Sequence, residues 1–92
     1  MPATSEVEAL LNALRSLPAP PTDQAGATRY LAGLKSAAAH WAEILDEAHE
    51  AAAPFTGPRA EAALRLAFRR AEESYVELEV ALQDSSTELY PR

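Results

Sequence analysis

Between Ala27 and Ala52 apolar side chains recur alternately every four and three positions, at Ala27, Leu31, Leu34, Ala38, Trp41, Leu45, Ala48 and Ala52. This spacing places all of them along one seam of an α-helix and predicts that the seam faces another helix. A second run repeats the rhythm at Leu64, Phe68, Ala71, Tyr75, Leu78 and Leu82. Pro54-Phe55-Thr56-Gly57-Pro58 lies between them and interrupts the pattern, because the residue before a proline is pushed out of the helical region. The predicted unit is a long antiparallel helical hairpin.

A shorter stripe, Val7, Leu10, Leu11, Leu14 and Leu17, precedes the hairpin. Ser5 and Glu8 have the spacing of a capping box, which predicts a helix over residues 5–17. Pro18-Ala19-Pro20-Pro21 stops it and predicts an extended linker over 18–22. The first long helix is expected over 23–53, capped by Thr22 or Asp23. The second is expected over 57–84, with Thr56 as its cap and Gly57-Pro58 in its first turn. Phe55 is expected to fold back over the hairpin tip. Residues 85–92 read as a frayed tail, with Leu89 as a continuation of the seam.

More apolar surface remains than one seam uses. Tyr30, Ala37, Ile44 and Ala51 flank the seam of the first long helix, and Leu66, Val76 and Val80 lie on the far side of the second. The short helix can cover one of these surfaces, and the other calls for a further chain. The expected fold is therefore all-α: a short N-terminal helix plus a long antiparallel hairpin that dimerises into a four-helix bundle. The expected association surface is Tyr30, Ile44, Phe55, Leu66, Val76 and Val80.

The chain has 92 residues, enough for one small domain spanning 1–92 with a thin core of its own. Its net charge of −6 opposes binding to nucleic acid or an anionic membrane. With no cysteine, disulfides and thiolate metal sites are excluded. Neither a signal sequence nor a membrane-length apolar run is seen, so a cytoplasmic protein is expected, with leaderless secretion left open. Both long stretches are basic early and acidic late. Arg29 and Lys35 precede Glu43, Asp46, Glu47 and Glu50; Arg59, Arg65, Arg69 and Arg70 precede Glu72, Glu73, Glu77 and Glu79. Antiparallel folding brings opposite signs together and is expected to set register more than stability.

Chemistry is harder to find. Asp46-x-x-His49 has the carboxylate and imidazole spacing of ferritin-like di-iron proteins, and Glu61 would lie across the hairpin from it. The helical phase opposes a metal site, since the seam through Leu45 and Ala48 turns Asp46 away from the interior. No catalytic set, phosphate-cradling loop or cofactor site is predicted. Trp41 is expected to be the largest core side chain.

The tip Phe55-Thr56-Gly57, followed by Ala60, Ala62, Ala63 and Phe68, resembles the W-x-G family of small type VII secretion substrates over roughly residues 23–88. Phenylalanine stands here where that family has tryptophan, and the extra N-terminal helix departs from its pattern. The resemblance implies an antiparallel four-helix dimer acting as a secreted factor, export partner or adaptor. It also points to Tyr75 and Glu79 as the nearest equivalent of that family's export signal. The leading expectation is a non-enzymatic module that self-associates or binds a partner helix. The alternatives are a type VII secretion substrate or adaptor, a carboxylate-histidine metalloprotein, and a small acidic inhibitor or immunity-type protein.

Overall fold

The computed structural model describes residues 2–87, and these form helices without strands: α1 (Pro2–Arg15), α2 (Gln24–Ala52), a 3-10 turn (Ala53–Phe55) and α3 (Pro58–Thr87). The all-α class and the long hairpin agree with the periodicity. The ends differ. α1 starts ahead of Ser5, so Ser5 and Glu8 lie inside the helix and do not cap it. α3 continues to Thr87, past the expected stop at 84. The expected continuation through Leu89, and the tail from residue 88 onward, lie outside the described residues.

Asp23 is the cap of α2. Its backbone is extended, and its carboxylate accepts a hydrogen bond of 2.7 Å from the Gly26 amide. At the tip, Thr56 does not cap α3. Its hydroxyl instead donates to the Ala52 carbonyl at 3.1 Å, satisfying one of the carbonyls left open where α2 ends. Gly57 opens α3 through its own carbonyl, which accepts from the Glu61 amide at 3.0 Å. Phe55 does not fold back over the tip; it is 86% exposed.

α2 is the central element. On one side α3 runs antiparallel to it, with Thr28 against Ser85 at 3.1 Å, Lys35 against Glu79 at 3.9 Å and His49 against Glu61 at 3.9 Å. On the other side α1 runs antiparallel to it, with Glu6 Oε2 3.3 Å from His40 Nδ1 and Leu17 lying over Gly33. α1 and α3 form no comparable interface with each other. The molecule measures 54 × 25 × 17 Å, the shape of an open three-helix layer with α2 in the middle.

An open layer has little interior. Among the described residues the buried apolar ones are Ala37, Ala42 and Ala71, and no large side chain is fully buried. Alanine packing lets helices approach closely but removes little area from water. Trp41 is not the core side chain its place on the seam suggests, being 48% exposed. Cross-hairpin charge pairing is also narrower than the charge order implies. Lys35–Glu79 and His49–Glu61 bridge the helices, whereas Arg65–Glu61 and Arg70–Glu73 are pairs within α3.

Candidate functional site

The contacts of α2 divide its surface. With 3.6 residues per turn, Gly33, Ala37, His40 and Ile44 share the side against α1, and Thr28, Leu31, Lys35, Ala42 and His49 share the nearly opposite side against α3. Two strips remain between them. Arg29, Ser36, Glu43 and Glu50 occupy one, and all four are exposed. Leu34, Trp41, Leu45 and Ala48 occupy the other, where Trp41 is exposed and its neighbours are half-buried. The expected seam is thus split: Leu31 and Ala38 turn toward α3, while Leu34, Trp41 and Leu45 face the opening between α1 and α3.

α1 extends this apolar strip. Glu6, Ala9, Leu10 and Ala13 of α1, and Leu17 just past its end, are half-buried and mark the side against α2. Val7, Leu11 and Leu14, an i, i+4, i+7 set, are 42%, 42% and 46% exposed. Because α1 runs antiparallel to α2, the right-handed turn of both helices places Val7, Leu11 and Leu14 on the same side of the layer as Trp41. The same construction puts the small residues Ala60, Ala63, Ala67 and Ala81 of α3 on that side. Arg70 and Ser74 of α3 fall on that side as well, so this face is apolar over α1 and α2 and mixed over α3. The other carries Ser5, Asn12 and Ser16 of α1, the Arg29–Glu50 strip, and Glu61, Arg65, Glu72 and Glu79 of α3.

The association surface expected from sequence falls in several places. Tyr30 and Ile44 are half-buried, with Ile44 on the flank that α1 covers. Leu66 and Val80 are 48% and 57% exposed on the side of α3 turned away from α2, where Arg69 and Glu73 interrupt them, and Val76, 54% exposed, borders the cleft between α2 and α3. Phe55 stands at the tip. Helical periodicity alone did not reveal the open apolar face, because it shows that a stripe is apolar without showing which neighbour takes it. The signal available was the i, i+4, i+7 excess on α1, which carries more large aliphatics than one contact with α2 uses.

The candidate metal ligands are not brought into a centre. His49 Nε2 and Glu61 Oε2 approach to 3.9 Å, and Arg65 pairs with Glu61 at 3.6 Å, which gathers a small polar cluster near the tip. No group of three or more histidine, cysteine, aspartate or glutamate side chains among the described residues could hold a metal ion. A shallow cleft of about 230 Å³ between α2 and α3 is lined by Ala39, Ala42, Glu43, Glu72, Tyr75 and Val76. It opens on the polar side and contains no nucleophile beside a base. Tyr75 lies under Lys35, whose Nζ is 5.4 Å from the ring centroid, so Tyr75 and Glu79 both hold the hairpin through one lysine.

No protein-family model, curated protein or solved structure matches the chain. No helix among the described residues is long and apolar enough to cross a membrane.

Proposed function

We propose that the chain is a non-enzymatic helical interaction module that works by associating through its exposed apolar side chains. One observation carries the reading: among the described residues only alanines are buried enough to form a core, while Val7, Leu11, Leu14, Trp41, Leu66, Val76 and Val80 remain between 42% and 57% exposed. Large apolar side chains contribute about 1.5–3 kcal/mol each when buried, so a second surface laid against them supplies burial the single chain lacks. Sedimentation velocity across the micromolar range tests this. Association that strengthens with concentration supports it, and a monomer throughout the range contradicts it.

The exposed Phe55 favours a second reading, kinship with the W-x-G secretion substrates, since an aromatic at the hairpin tip is free to meet another chain. The test is export from a host with a type VII system. Transport that depends on Tyr75 and Glu79 supports the kinship, and retention of the wild-type chain opposes it.

A further inference from the structure

We infer that a second copy of this chain docks along α3, helix against antiparallel helix, with Arg69 of each copy set against Glu73 of the other. The inference rests on the self-association proposed above and specifies its geometry.

α3 carries two seven-residue repeats on opposite sides. Leu64, Phe68, Ala71, Tyr75, Leu78 and Leu82 are buried or half-buried and form the side against α2. Ala62, Leu66, Arg69, Glu73, Val76 and Val80 keep the same alternation of four and three on the opposite side, and all six are exposed, with Val76 also bordering the cleft toward α2. This second seam is too mixed to be a hydrophobic patch. It is instead complementary to itself when reversed.

In an antiparallel pair each seam residue lies beside the one at the mirrored position of the other helix. About a two-fold axis level with Ala71, Leu66 meets Val76, Ala62 meets Val80 and Arg69 meets Glu73, and the symmetry makes each contact twice. Apolar meets apolar and cation meets anion in every layer. Other arrangements of the same two helices lose this match. A parallel pair in register sets Arg69 on Arg69 and Glu73 on Glu73. A shift of one heptad in the antiparallel pair sets Arg69 against Val80 or against Leu66. The charge order along the seam therefore selects a second copy, in one orientation and one register.

The charges are available for this contact. Arg69 makes no ion pair among the described residues. Glu73 holds Arg70 of its own helix at 3.9 Å through Oε1, with the two side chains 59% and 72% exposed, and its second carboxylate oxygen remains to accept another guanidinium. A charged layer inside a helical seam costs stability and fixes orientation and register.

The experiment measures mass by sedimentation equilibrium for the full chain carrying Arg69→Glu, for the chain carrying Glu73→Arg, and for an equimolar mixture of the two, with circular dichroism recorded alongside. Each single change puts like charges into both charged layers and is expected to weaken dimerisation at least about 10-fold. In the mixture, the glutamates at 69 and 73 of one chain face the arginines at 73 and 69 of the other, so a one-to-one heterodimer is expected to form with affinity near that of the wild type. A wild-type dimer that neither change weakens overturns the α3 contact while leaving self-association standing, and so does a weakening that mixing fails to reverse. A wild-type chain that is monomeric throughout overturns both and leaves the seam to a different partner. If either single variant loses helicity, the chain carrying both changes decides: dimerisation supports the inference, and a helical monomer overturns it.

Discussion

Leu17 rests on α2 at the point where Gly33 has no side chain, and a Cβ at Gly33 would lie 2.6 Å from Leu17 Cδ2. This contact fixes how closely the start of the linker approaches the central helix, and with it the seat of α1. An alanine at 33 can be met by rotation of the far end of Leu17, and it raises helix propensity by about 1 kcal/mol. A valine cannot be met so easily. Gly33→Val is expected to lower unfolding free energy by about 1–3 kcal/mol in urea titration. Combined with Leu17→Ala, the loss is expected to be at least about 0.5 kcal/mol smaller than the sum of the two single losses. Strict additivity would show that the two residues do not share this contact.

Asp23 and Gly26 form a second coupled pair. The carboxylate accepts from the Gly26 amide, and a Cβ on Gly26 would approach it to 2.8 Å. Asp23→Ala is expected to cost about 1 kcal/mol. Gly26→Ala is expected to displace the cap and add little once Asp23 has been removed. Thermal unfolding of the two singles and the double checks the cycle.

Lys35 ties α2 to α3 twice, by its ion pair with Glu79 and by its position over Tyr75. The pair is partly exposed, at 25% and 43%, so its share is small and sensitive to salt. Tyr75→Phe keeps the ring and is expected to leave stability nearly unchanged. Tyr75→Leu is expected to lose about 0.5–1 kcal/mol, and less where Lys35 is already Met. Equal losses in both backgrounds would remove the cation–ring contact from the account.

At the tip, no atom lies within 4 Å of a Cβ built on Gly57. Gly57→Asp places a side-chain acceptor at the start of α3 and is expected to raise stability by a few tenths of a kcal/mol. If association also weakens in this variant, the tip glycine is needed by another chain and not by the fold; unchanged association assigns it no such role.

Much of this architecture was legible in the residues, and the reasons for the gaps are specific. Proline at 18, 20, 21, 54 and 58 marks the breaks between helices, and Thr22 and Asp23 both read as caps because a side-chain oxygen precedes a helical run, Asp23 being the one that caps. Thr56 looked equally capable of capping, but the open carbonyl of Ala52 lies within its reach and takes its hydroxyl. Ser5 looked like a cap because the pattern does not reveal that the chain is already helical before it. The flank of Ala37 and Ile44 called for a third helix, and α1 lies there. Trp41 was misplaced for a different reason. A seven-residue repeat defines a stripe, but a helix with neighbours on two opposite sides spends its sides first and leaves the stripe between them open.

The central proposal is that the chain associates through exposed apolar side chains, of which Trp41 is the largest. Acrylamide quenching of its fluorescence, followed by dilution through the micromolar range with mass measured in parallel, tests that proposal and its place on the molecule most directly. The account requires the mass to fall from two chains to one on dilution while Trp41, which lies off the α3 seam, stays equally quenchable. A mass of one chain at every concentration would contradict the association, and a Trp41 shielded as the dimer forms would contradict its place along α3.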